Sequence, residues 1–173
     1  VKWAGPDPPQ RPAVKRRYSW IRSCVPDGAT SADLSTFKSE KFRDEISDYF
    51  DKAFLLTYYL WTDYFLAVDQ RAKNMMLRTW DGLIWYITYY DGDTQMGKRN
   101  DCFLVYDYTT DRDTYDAEAG KYAFEGRDSW LWNLVLANLD ADLKTQAQAL
   151  RGVLTTSRVL DMLNVEQAGN WCD

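Results

Sequence analysis

Between Ala29 and Asp81 the chain runs for 53 residues without glycine or proline. This predicts helix, because those two residues are the strongest helix breakers. Within the stretch, Phe42, Ile46, Tyr49, Phe50, Ala53, Phe54, Leu56, Leu60 and Tyr64 recur at spacings of three and four, which places them on one helical face. The polar run Asp69–Asn74 reads either as a turn between two helices or as a solvated stretch of one. Ala53–Val68 is apolar on nearly every side, and such a helix is expected to be buried in a bundle. It contains Asp63. That carboxylate is costly to bury alone, so a partner or an exposed edge is expected for it.

Met75–Tyr90 continues the aromatic pattern, with Asp81-Gly82 as an interruption. The later part, Leu83–Tyr90, is rich in β-branched and aromatic residues and reads as helix or as strand. Residues 91–127 are the least regular. Cys102–Tyr108 is the best strand candidate, and Lys121–Phe124 is its expected hairpin partner. From Asp128 the helical pattern returns, with Trp132, Val135, Leu136, Leu139, Leu143, Ala147 and Leu150 as one stripe up to Gly152. A glycine there predicts a helix stop. A last helix is expected over Val153–Gln167.

The N-terminal part reads differently. Four of the five prolines lie at Pro6, Pro8, Pro9 and Pro12. Proline lacks the amide proton and holds φ near −65°, so residues 1–28 read as an extended arm ending in the turn Pro26-Asp27-Gly28. Ser31 or Asp33 is placed to cap the helix that follows. The fold class expected is mainly α: a bundle of about four helices over 29–173, with a small irregular or β-hairpin insertion at 91–127 and the N-terminal arm.

Composition narrows the function. Histidine is absent, which removes the commonest general base and metal ligand and any Ser-His-Asp or Cys-His arrangement. Cys24, Cys102 and Cys172 are too far apart in sequence for a zinc-ligand spacing. A Cys24–Cys172 bridge would tie the ends of the body together in an oxidising compartment, and free thiols are the simpler expectation. The acidic run Asp107, Asp111, Asp113, Asp116 and Glu118 does not follow the calcium-loop spacing. Asp63 and Asp81 form a conceivable carboxylate pair for sugar hydrolysis, but no spacing selects them. No phosphate-binding or dinucleotide glycine loop occurs. The expectation is a protein without catalytic residues, metal or cofactor.

Charge and aromatic content point to partnership. Residues 1–23 carry Lys2, Arg11, Lys15, Arg16, Arg17 and Arg22 against Asp7, while the whole chain is at −5. A basic segment on an acidic body is expected to dock on an acidic surface. Eight Trp, twelve Tyr and seven Phe, 16% of the chain, exceed what a core readily absorbs and suggest a contact surface. The partner-binding residues expected are Trp3, Arg11, Lys15, Arg16, Arg17, Trp20 and Arg22, facing other protein subunits and not nucleic acid. No run of about 18 or more uncharged apolar residues exists, so only peripheral membrane contact is compatible. The function expected is a non-catalytic accessory subunit of a larger assembly. By architectural analogy with extrinsic helical subunits of photosystems, or with respiratory complexes, its setting is an organellar membrane complex. The start at Val1 suggests removal of a targeting segment for the thylakoid lumen or mitochondrion. The alternative is a secreted binding protein or effector, and behind it a histidine-free acid-based enzyme.

Overall fold

The first helix, α1, spans Pro12–Cys24, inside the stretch that reads as an extended arm. Its position explains the difference. Proline at the first helical residue loses only an amide that would be unpaired anyway, and its φ suits the helix. The computed structural model describes residues 12–65, 67, 70, 71, 74–90 and 129–161; the prolines at 6, 8 and 9 lie outside them. The inner side of α1 carries Trp20 and Cys24, both buried, with Ala13, Val14 and Ile21 packed against the core. Pro26 and Gly28, the latter at φ 78°, then turn the chain away.

The glycine-free stretch 29–81 is broken into short pieces. A 3-10 turn spans Leu34–Phe37, α2 spans Glu40–Glu45, a second 3-10 turn spans Ile46–Asp48 and α3 spans Lys52–Tyr64. Three short polar side chains restart the chain. Asp33 accepts from the Ser35 amide at 2.9 Å, Ser39 from the Phe42 amide at 3.3 Å and Asp51 from the Phe54 amide at 2.9 Å. Such residues offer the backbone an alternative to continuing a helix, so a helix can end without glycine or proline. The helix does not extend to Asp81.

Beyond α3 comes a two-stranded antiparallel sheet. Strand β1, Met76–Arg78, pairs with β2, Tyr86–Thr88, in the register Met76↔Thr88, Leu77↔Ile87, Arg78↔Tyr86. The second leg lies in the part that read as helix or strand, and Asp81-Gly82 is the turn between the legs. One Asp81 carboxylate oxygen accepts from the Leu83 amide at 2.7 Å, the Ile84 amide at 3.0 Å and the Thr79 hydroxyl at 3.0 Å. Gly82 sits at φ 75°, and a Cβ on it would lie 3.4 Å from the Ala13 side chain. Conformation and the nearness of α1 both favour glycine there. The hairpin is pinned to the chain just before α3: the Trp85 amide donates to the Tyr49 carbonyl at 2.8 Å, and the Asp51 amide to the Trp85 carbonyl at 3.3 Å. The hairpin expected over 91–127 lies outside the described residues.

The single helix expected to run from Asp128 to Gly152 is two helices, α4 at Trp130–Asn138 and α5 at Asp140–Val153. Gly152 falls inside α5, and a further helical stretch follows at 156–161. The break falls at Leu139, itself buried. Beside it, the Asn138 side chain accepts from the Ser39 amide at 2.7 Å and donates to the Phe37 and Leu134 carbonyls, each at 2.8 Å. Helix α4 is also the one buried on nearly every side, with Leu131, Trp132, Asn133, Leu134, Val135 and Ala137 all inside. That role was expected of Ala53–Val68. Instead α3 buries Leu55, Leu56, Tyr58, Tyr59 and Thr62 and leaves Phe54 and Tyr64 exposed.

The described part is thus mostly helical with one small sheet. Its core gathers Trp20, Phe37, Phe42, Ile46, Phe50, Leu55, Ile87, Trp132 and Leu134. Trp20 stacks on Tyr49 at 4.1 Å and on Phe42 at 5.5 Å. Trp132 stacks on Tyr58 at 6.2 Å, and its indole N–H donates to the Arg71 carbonyl at 3.1 Å. Among the described residues no helix is long and apolar enough to cross a membrane.

Two outcomes are expected. Trp132→Ala removes a fully buried indole and should lower unfolding stability by about 3–5 kcal/mol in urea titrations; an unchanged midpoint would contradict the central place of α4. The Asp81 carboxyl is held below its usual range by the Leu83 and Ile84 amides. Its folded pKa is therefore below the unfolded value of about 3.9. Its contribution is present above that unfolded value and is lost as pH falls through the folded one. The stability gap between the parent and Asp81→Ala should stay flat at neutral pH and close in acid. A gap that widens in acid would show that the turn carboxylate plays no such part.

Candidate interaction surface

The seven residues expected to bind a partner meet different fates. Trp3 and Arg11 lie outside the described residues. Trp20, expected as an outward anchor, is 3% exposed. Its indole N–H donates to the Glu45 carboxylate at 3.0 Å, so it serves the core. Arg16 also turns inward. Its guanidinium lies 4.1 Å over the Tyr49 ring and donates to the Leu83 carbonyl at 3.1 Å and the Asp48 carbonyl at 3.3 Å. It thereby joins α1 to the hairpin and to the turn before α3. These two placements share a cause: once Pro12–Cys24 is helical, every third or fourth residue must face the body.

Lys15 and Arg22 remain on the outside. The helical period sets Tyr18 and Ser19 between them on the same face, and both are exposed. Tyr18 is 58% exposed, and its ring centre is 6.4 Å from that of Trp130 at the start of α4. The Arg22 guanidinium lies over Trp130 at 5.0 Å. Two helices far apart in sequence thus present one basic and aromatic face. No acid lies in α1, and no ion pair among the described residues engages Lys15, Arg17 or Arg22. Tyr18 and Trp130 were missed in the sequence. Tyr18 was legible from its i, i+3, i+4, i+7 company with Lys15, Ser19 and Arg22, whereas Trp130 joins only through tertiary packing.

Arg17 holds an intermediate place. Its guanidinium lies 4.3 Å over the Trp85 ring, and burial lowers its pKa to about 10. Its Nε is sealed from solvent without an acceptor. The residue lines a groove of about 310 Å3 with Tyr18, Ile21, Met75, Leu77 and Trp130. A charged group withdrawn from water is normally matched by an anion or acceptor, and here the described chain supplies only an aromatic face.

A second groove, of about 330 Å3, lies between α3 and α5, with Leu60, Trp61, Tyr64, Leu150 and Leu154 along it. Asp63 and Arg151 also line it. Asp63 has the partner that its place in an apolar helix required: its carboxylate accepts from Arg71 at 3.1 Å. Arg71 is fully buried and lies 4.3 Å over the Tyr59 ring. With Asp63 in this ion pair and Asp81 holding the hairpin turn, the two are not set up as a hydrolytic couple. Among the described residues no cluster of three metal-ligating side chains occurs; the acidic run 107–118 lies outside them. Burial also raises the hydroxyl pKa of Tyr58, and that of Tyr89 to about 12, which keeps both neutral.

Cys24 is free and 2% exposed, with its thiol pushed up to about 11, chiefly by burial. No protein-family model, curated protein or solved structure matches the chain.

A thiol that is both covered and poorly ionised is inert. Brief alkylation of the native protein at mildly alkaline pH, followed by mass mapping, should leave Cys24 unmodified, whereas denaturant should make it react fully. Rapid native labelling of Cys24 would place it outside the core.

Proposed function

We propose that the protein is a non-catalytic accessory subunit of a multi-protein assembly, docking through the outer face of α1. The observation that carries this reading is the basic and aromatic face formed by Lys15, Tyr18 and Arg22 of α1 with Trp130 of α4, whose cations join no ion pair among the described residues. Trp, Tyr and Arg are the residues that dominate protein interfaces. Cations that join no ion pair among the described residues, on a chain of net charge −5, favour an acidic protein surface as partner and steer its approach. Rings that carry guanidinium groups add affinity when a partner excludes water.

The face belongs to a folded helix, so little chain entropy is lost on docking. An extended arm ahead of Pro12, with Trp3 and Arg11 as further contacts, and a bundle grouped around α4 are part of the same proposal. The proposed setting is a peripheral position on an organellar membrane complex of photosystem or respiratory type. The secreted alternative drew on a Cys24–Cys172 staple, and the buried free thiol of Cys24 gives it no support.

Native mass spectrometry of material from its source tests the proposal. The wild-type chain should appear within a larger particle, and Lys15→Glu with Arg22→Glu should release it as a folded chain of 20.2 kDa. A folded wild-type chain that runs alone, or a double variant that assembles as well as the parent, would overturn it.

A further inference from the structure

The groove between α1, β1 and the start of α4 has two chemically distinct parts. Arg17 lines it, its guanidinium lies over the Trp85 ring, and its buried Nε has no hydrogen-bond acceptor among the described residues. Ile21, Met75 and Leu77 supply aliphatic walls, and Tyr18 and Trp130 stand at an exposed edge. Its volume of about 310 Å3 suits one or two side chains, at the lower end of ordinary ligand sites.

We infer that this groove receives a peptide segment of a partner protein, anchored by an Asp or Glu carboxylate on Arg17 and by a neighbouring apolar side chain against Met75 and Leu77. The inference rests on the docking role proposed for α1 and names the chemistry of what docks there.

Charge complementarity selects the occupant. A guanidinium already stacked on Trp85 at 4.3 Å is held flat, and a carboxylate is the group that its planar donors match. Because Arg17 is already partly desolvated, much of the cost of burying the cation is met in the free protein, and an incoming anion meets a poorly hydrated charge. The exposed cations Lys15 and Arg22 on the neighbouring face draw acidic segments toward the groove. Nucleic acid also offers anions, and rings can stack bases. However, the walls beside those rings are aliphatic, with Ile21, Met75 and Leu77, and the chain's net charge of −5 opposes a polyanion.

The probe is a labelled, end-blocked peptide of alternating Leu and Asp, compared with its Leu and Asn counterpart, in anisotropy titrations against the full chain. The Leu-Asp peptide should bind, with the Leu-Asn peptide and the Arg17→Met variant each weaker by about tenfold or more, as loss of a charge-assisted pair requires. Near-ultraviolet circular dichroism checks that the variant keeps the Trp85 packing. A measurement on the wild-type chain needs no variant: the Arg17 Nε–H resonance should move when the Leu-Asp peptide is added. Equal binding of the two peptides, or an unmoved Arg17 resonance, overturns the inference. So does tighter binding of a single-stranded oligonucleotide than of the Leu-Asp peptide. Native mass spectrometry separates this from the broader reading. A chain that assembles in its source but ignores the peptide loses only the groove, whereas a solitary chain that binds the peptide through Arg17 loses only the subunit role.

Discussion

The structure depends on the burial of one short helix. Helix α4 has six of its nine residues inside, so it needs cover on nearly all sides. Helix α1 and α2 supply two of the neighbours, the Leu34–Phe37 turn a third and α5 another. Its polar groups are matched rather than avoided. Asn133 donates to the Ser31 hydroxyl at 3.1 Å, Trp132 donates to the Arg71 carbonyl, and Lys38 donates to the Ala137 carbonyl. Buried polar groups must be paired, so each of these bonds holds a neighbour in one place.

The same constraint explains why the chain from Ser31 to Tyr64 is made of short pieces. A long straight helix would cover α4 along one line only. Capped turns at Asp33, Ser39 and Asp51 let the chain bend around it. Asn138 joins the end of α4 to that bend by bonding both the Phe37 carbonyl and the Ser39 amide. Helix α5 then runs back along α3, with Lys52 and Asp142 in an ion pair at 2.7 Å and Gln146 donating to the Thr57 hydroxyl at 2.9 Å.

Basic residues are divided by the helical period. Arg16 and Arg17 of α1 lie on aromatic rings of the body, whereas Lys15 and Arg22 stay in reach of solvent. An Arg side chain can pack its flat face on a ring and still direct donors elsewhere. For this reason a run of adjacent cations contributes both to packing and to an outward face. Aromatic residues divide in a similar way: Trp20, Trp85 and Trp132 are buried, while Trp80 is 81% exposed beside Arg78 at 5.5 Å.

The sequence by itself determined the mainly helical character, the cap at Asp33 and the turns at Pro26–Gly28 and Asp81-Gly82, the need of Asp63 for a partner or an exposed edge and the basic bias of the N-terminal region. These are local properties: breaker content, side-chain length, charge and period are all readable within a few residues. Only the tertiary structure decided which apolar helix is central, because α3 and α4 carry similar patterns and differ in what surrounds them. It likewise decided that residues 86–88 pair as a strand, since the Trp85 bonds to the backbone before α3 come from elsewhere in the chain. Last, it decided that Trp130 shares a face with Tyr18 and Arg22, and that Arg17 lies half-buried without a carboxylate. The first depends on α1 packing across α4 and the second on α1 packing against Trp85 of the hairpin, contacts between segments far apart in sequence that no local pattern encodes.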